Sequence, residues 1–143
     1  MQKNTAAIDV VARFLARRDY SEYELRQRLQ QKDYSAEEID AAMEEAIQRR
    51  WLLPPEELAT RVARELHAKG KSYRYIANYL TSKKLPHIQR DEDLEIQKAQ
   101  GLVQKKFHFS PPYDFEQKKK ILQYLRNRTY DEPTIRTVLN EVE

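Results

Sequence analysis

Apolar residues recur along this chain at intervals of three and four, the spacing that lines one face of an α-helix. Val11 and Leu15 form one set, Leu25 and Leu29 a second, Ile39, Met43 and Ile47 a third, and Leu58, Val62 and Leu66 a fourth. Polar stretches part them. Arg18-Asp19-Tyr20-Ser21 breaks the first pattern, and Ser21 followed by Glu24 has the spacing of a capping box, in which hydroxyl and carboxylate satisfy the free amides of a new helix. Ser35 and Glu38 repeat the device. The pattern predicts helices over residues 6–18, 22–32 and 36–50, joined by turns short enough to force close packing.

The same grammar returns further on. Leu15, Ser21, Leu25 and Leu29 match Leu66, Ser72, Ile76 and Leu80 at a constant offset of 51, so residues 57–69 and 73–84 read as a second copy of the first two helices. Leu29, Tyr34, Ser35, Ile39 and Met43 match Leu125, Tyr130, Asp131, Ile135 and Leu139 at an offset of 96. That third copy predicts helices at 92–107, 115–128 and 132–141, with Ser110-Pro111-Pro112-Tyr113 as a loop and Asp114 as an N-cap. Between them, 85–93 is too short for a full third helix, which should be shortened or absent. The expected fold is all-α: tandem three-helix repeats at 1–53, 54–90 and 91–143, stacked into an elongated, curved body because no copy buries its apolar face alone.

Composition narrows the function. With 2 glycines, 40% apolar and 34% charged residues in 143, the chain suits exposed helices better than packed sheets. No run approaches the roughly 18 apolar residues of a membrane span, and MQKNTAAIDVV lacks the order of a signal peptide, so a cytoplasmic protein without membrane contact is expected. Zero cysteines exclude disulfides, thiolate metal sites and cysteine nucleophiles. Gly70 and Gly101 stand alone, so there is no phosphate loop, and no G-x-S-x-G elbow occurs. His67, His87 and His108 lack a partner at metal-ligand spacing, and Asp91-Glu92-Asp93 fits a helix start better than a cation site. Neither cofactor, metal nor catalytic residue is expected. With no heptad seam, a monomer is expected as well.

Charge is unevenly placed. Residues 1–50 carry 9 basic and 10 acidic side chains, whereas 51–90 carry 8 and 3. Arg61 and Arg64 share a helix face, Lys69 and Lys71 flank Gly70, Arg74 opens the next helix, and Lys83 and Lys84 close it. Such groups on turns and helix starts suit phosphate recognition, although a solvated charged face has the same composition. Tyr73, Tyr75 and Tyr79 interleave with them and could stack on unpaired bases, but Tyr75, Ile76, Tyr79 and Leu80 also make a stripe that assigns at least Tyr79 to the core. Trp51, Leu52 and Leu53 read as the packed junction of the first two repeats.

Together these residues resemble the RecX family of bacterial recombinase regulators. Ala16-Arg17-Arg18-Asp19-Tyr20-Ser21-Glu22-Tyr23-Glu24-Leu25-Arg26, then Leu29, Lys32, Tyr34-Ser35, Glu37-Glu38-Ile39 and Leu52-Leu53, lie close to the family's first repeat. Ala59, Arg64, Gly70, Arg74, Ile76, Leu80, Lys84 and Leu85 resemble the second, and Lys105-Lys106-Phe107 with the 115–128 and 130–139 segments the third. The middle departs from the family pattern at Pro54-Pro55, at Tyr73 and at Ser72. The resemblance implies a regulator that lodges in the groove of the RecA filament, inhibits ATP hydrolysis, strand exchange and filament growth, and has some affinity of its own for single- and double-stranded DNA. Arg61, Arg64, Lys69, Lys71, Arg74, Lys83 and Lys84 are the leading candidates for contact, with Arg17, Arg18, Arg26, Lys105 and Lys106 behind them. The competing readings are a sequence-tolerant DNA-binding protein using the hairpin around Gly70, and a helical-repeat adaptor for another protein.

Overall fold

A computed structural model describes residues 5–140. Among the described residues eight helices follow one another: α1 (Ala7–Arg17), α2 (Glu22–Gln31), α3 (Ala36–Gln48), α4 (Pro55–Ala68), α5 (Tyr73–Ser82), α6 (Glu92–Phe107), α7 (Phe115–Asn127) and α8 (Glu132–Val138). Among the described residues there is no strand. The periodicity therefore located every helix to within a few residues. Helix α8 ends earlier than the pattern predicted, and residue 141, where the prediction ended, lies outside the described residues. No helix forms between Lys83 and Asp91, as the shortness of that segment required.

Side-chain caps start the helices where the sequence placed them. Ser21 accepts from the Glu24 amide and Ser35 from that of Glu38, each with the reciprocal glutamate bond. Asp91, Asp114 and Asp131 cap α6, α7 and α8. Pro55 opens α4 at a position where the missing N–H costs nothing. The helix ends are less orthodox. Only Gly70 supplies a glycine in the left-handed turn that commonly closes a helix, and Asp33, Arg50, Lys84, His108, Thr129 and Asn140 adopt positive φ themselves. Gly70 alone cannot be replaced cheaply, since a Cβ there would sit 3.0 Å from Leu102 Cδ2 and φ is +77°.

The chain divides into two compact units. The first runs to Thr60 and includes Leu80–Pro86; the second holds Arg61–Tyr79 and the chain from His87 onward. In the first, α1 packs on α2 and α3 around Val11, Leu25, Leu29, Ile39, Met43 and Ala46, all at most 3% exposed. In the second, α8 packs on α6 and α7 around Val103, Ile121, Leu125 and Ile135, which are wholly buried. The repeat register is visible in the burial: Leu29, Tyr34, Ile39 and Met43 are core residues, and so are Leu125, Tyr130, Ile135 and Leu139. At the shorter offset, Leu25 and Leu29 are matched by Ile76 and Leu80, all at 0% exposure.

Two local expectations fail or shift. Trp51 is 36% exposed and is no packed junction; Leu52 beside it does pack against the first core. The α5 stripe buries Ile76 and Leu80, leaves Tyr79 half-buried and turns Tyr75 outward at 41% exposure. The ring-sized side chains sit at the edges of the stripe, where the helix face curves away from the core.

Candidate nucleic-acid interface

The turn between α4 and α5 exposes Lys69, half-buries Gly70 and Lys71 and buries Ser72. Its amides and carbonyls are held from three directions within the second unit. Tyr130 donates its hydroxyl to Gly70 O at 2.8 Å, Lys98 Nζ donates to Lys71 O at 2.7 Å, and Glu95 Oε1 accepts from Tyr73 N at 2.8 Å. Ser72 Oγ accepts from Tyr75 N at the start of α5 and lies 2.7 Å from Thr129 Oγ1, whose hydroxyl donates to Arg128 O. Lys69-Gly70-Lys71 thus rests on α6 and on the turn between α7 and α8.

Beneath it lies an ion pair that the sequence does not announce. Glu95 and Lys98, one turn apart on α6, meet at 2.5 Å with side chains only 2% and 6% exposed. Glu95 Oε2 has this ion pair but no aligned hydrogen bond. The Lys98 ammonium also lies 2.7 Å from His67 Nδ1, so that nitrogen acts as the acceptor and the imidazole is neutral. Burial, and then the Lys98 charge, hold His67 below its ordinary value of 6.5. Burial likewise lowers Lys98, against the opposing pull of Glu95. Burial, reinforced by the Glu95 charge, raises Tyr130, so its hydroxyl stays a donor. Arg90, 5.6 Å from the centre of the Tyr73 ring, clamps Asp131 and Glu92 at 2.8 Å each and donates to Thr134 Oγ1.

On this platform stand the exposed cations. Lys69 and Arg74 project from the turn and the first turn of α5, and Arg61 and Arg64 from α4. Lys71 Nζ lies 4.8 Å from the centre of the Tyr75 ring. Gly70, Lys71, Tyr75, Asn127, Arg128 and Thr129 line an open recess of ≈ 380 Å³ that no carboxylate enters. Two cations, a hydroxyl, a carboxamide and an outward aromatic ring are the groups that hold a phosphate and a flat base. Arg128 is the member that periodicity missed: it follows the last turn of α7, and only the fold brings it to residues 57 positions earlier. The segment 101–128 carries 7 basic and 2 acidic residues, a signal available in the sequence.

The remaining candidates are sorted by their partners. Arg18 and Lys83 both bind Glu24, at 2.9 and 3.2 Å, and Arg26 binds Glu22 and Asp40. Burial opposes it, yet Arg18, the Ser21 amide and Lys83 hold the Glu24 carboxyl below its usual range. These three cations serve internal ion pairs in the first unit. Arg17 is exposed at the end of α1, Lys105 and Lys106 are exposed at the end of α6, and Lys84 lies 5.7 Å from the Tyr23 ring. Among the described residues no group of three metal-ligating side chains forms, and no helix is long and apolar enough to cross a membrane.

Residues 7–45, which comprise α1, α2 and most of α3, match the family model described as RecX, first three-helix domain. The Regulatory protein RecX of Syntrophotalea carbinolica is 27% identical over 145 residues, an alignment covering 91% of this chain and 92% of that one. The first three helices are thus similar to the first domain of RecX proteins, and nearly the whole chain is similar to a RecX protein. The Regulatory protein RecX of Actinobacillus pleuropneumoniae is 48% identical, but over 48 residues, which span 34% of this chain and only 32% of that relative. A crystal structure of RecX from Lactobacillus salivarius superposes with a TM-score of 0.73 over 94% of this chain and 93% of that one; at 18% identity this bears on the fold. The basic turn lies outside the residues matched by the family model.

Proposed function

We propose that this chain is a non-enzymatic negative regulator of the RecA recombinase, acting in the cytoplasm by lodging in the groove of the RecA–DNA filament and hindering ATP hydrolysis, strand exchange and filament growth. The observation that carries the reading is the pinned basic turn of the second unit, whose recess no carboxylate lines, in a chain similar to RecX proteins. Arg61, Arg64, Lys69, Lys71 and Arg74 are the leading contacts, joined by Arg128. Lys83, Arg18 and Arg26 are weaker candidates, because a phosphate would have to displace a carboxylate already in place. Lys84, Arg17, Lys105 and Lys106 are exposed and stay in the second rank.

The mechanism is steric and electrostatic. A rigid turn costs less to dock than a mobile one, since its ordering is complete before binding. Its cations attract the filament's phosphates, and no acid of the recess opposes them. Sequence-tolerant DNA binding without a recombinase is the second reading, favoured by the same recess.

The test is DNA-dependent ATP hydrolysis by the recombinase of the same organism, titrated with this protein at fixed salt. We expect a dose-dependent fall, abolished by Arg64→Glu/Lys71→Glu/Arg74→Glu with helicity intact. Inhibition that survives these reversals refutes the surface assignment. No inhibition with the protein in excess refutes the recombinase as partner. Binding to single-stranded DNA alone should lose about 0.7 from its logarithmic salt slope for each phosphate contact removed.

A further inference from the structure

An apolar concavity lies in the first unit, away from the basic turn in sequence and made of different chemistry. Tyr20, Leu58 and Leu85, each at most 8% exposed, form its floor, and half-buried Tyr23, Leu52 and Leu53 its walls. Its volume of ≈ 650 Å³ lies within the range of ligand and side-chain pockets. The apolar surface does not stop at the mouth. Ile47, on the rim, is 52% exposed, and Trp51, between the lining residues Arg50 and Leu52 in sequence, is 36% exposed. Tyrosine and arginine, both present around this pocket, are among the residue types that dominate binding energy between proteins.

The charges at the rim choose among partners. Arg50 and Lys84 line the groove and have no ion pair among the described residues. Lys84 Nζ lies 5.7 Å from the centre of the Tyr23 ring. Of the two rim acids, Glu22 is already bonded to Arg26 at 2.9 Å, which leaves Glu57. An arriving carboxylate therefore meets two unpaired cations, and an arriving cation one acid. A nucleic-acid strand fits poorly, because its phosphates would have to desolvate against an apolar floor.

We propose that this groove is a docking site for an acidic segment of a partner protein, seated by one large apolar side chain on Leu58 and Leu85 and by carboxylates against Arg50 and Lys84. The proposal goes beyond the recombinase reading and does not rest on it, because it uses other residues and another kind of contact.

The experiment is selection from a phage-displayed library of random peptides on the full chain, followed by anisotropy titration of the selected peptides in synthetic, fluorescein-labelled form. We expect selected peptides to pair Phe, Leu or Trp with Asp or Glu and to shift the emission of Trp51. Ile47→Asp and Lys84→Glu, both at exposed positions and checked for helicity, should each weaken binding by at least about tenfold. Failure to select peptides, selection of basic ones, or equal binding to wild type and both variants overturns the proposal. So does concentration-dependent self-association that the same variants abolish, which would make a second copy of this chain the occupant.

Discussion

Replacing Lys98 with methionine tests whether the α6 ion pair holds the basic turn in place. Methionine keeps most of the length and volume of lysine but none of its donors. The Glu95 carboxylate, 2% exposed, would lose the charge 2.5 Å away, and Lys71 O and His67 Nδ1 would lose their donor. Removing one partner of a buried pair costs about 3–5 kcal/mol, because the other charge stays behind uncompensated. The Tyr73 amide, which still donates to Glu95 at 2.8 Å, softens that loss, so about 3 kcal/mol is expected. The double variant Glu95→Gln/Lys98→Met removes the stranded charge while keeping an oxygen for Tyr73 N–H, and should recover about half of the loss. Urea unfolding followed by far-UV circular dichroism measures both. Trp51, the one tryptophan, sits in the first unit, so its fluorescence is the wrong signal for this change. A cost below about 1 kcal/mol for Lys98→Met, or a double variant no more stable than the single one, refutes the reasoning.

His67 makes stability depend on pH in a defined direction. The unfolded chain takes up a proton near pH 6.5, and the folded chain only at lower pH, so the contribution is complete above 6.5 and is lost as pH falls through the folded value. Urea midpoints measured at descending pH should fall across that window in the wild type and fall less in His67→Gln; parallel curves contradict the assignment of His67 as acceptor. In the first unit, Ser35→Ala removes the hydroxyl half of the α3 capping box, leaving the bond from the residue 35 amide to Glu38, and should cost about 1 kcal/mol. Thermal unfolding reads that loss, and an unchanged midpoint would mean the cap contributes nothing.

How much of this molecule could be read from its sequence depends on the distance over which each feature is encoded. A capping box needs Ser35 and Glu38, three residues apart, and an apolar stripe needs Ile39 and Met43, four apart; both were legible and both are seen. The repeat at an offset of 96 was legible for a different reason: the same packing problem is solved twice, and Tyr34 and Tyr130 are buried in both solutions. The site is another matter. Glu95 and Lys98 have the spacing of any surface pair on a helix, and nothing local distinguishes them from Arg26 and Glu22, which are such a pair. Only the carbonyl of Lys71 and the amide of Tyr73, brought from 27 and 22 residues away, require a buried cation and anion there. Arg128 was missed on the same ground, since its place beside Lys71 is a property of two turns meeting. The sequence shows where cations are dense; which of them are committed to carboxylates, as Arg18 and Lys83 are to Glu24, is decided by contacts across the fold. Contact residues should therefore be ranked by the absence of an internal acid partner before they are ranked by charge density, and that criterion puts Arg64, Lys71 and Arg74 ahead of Lys83.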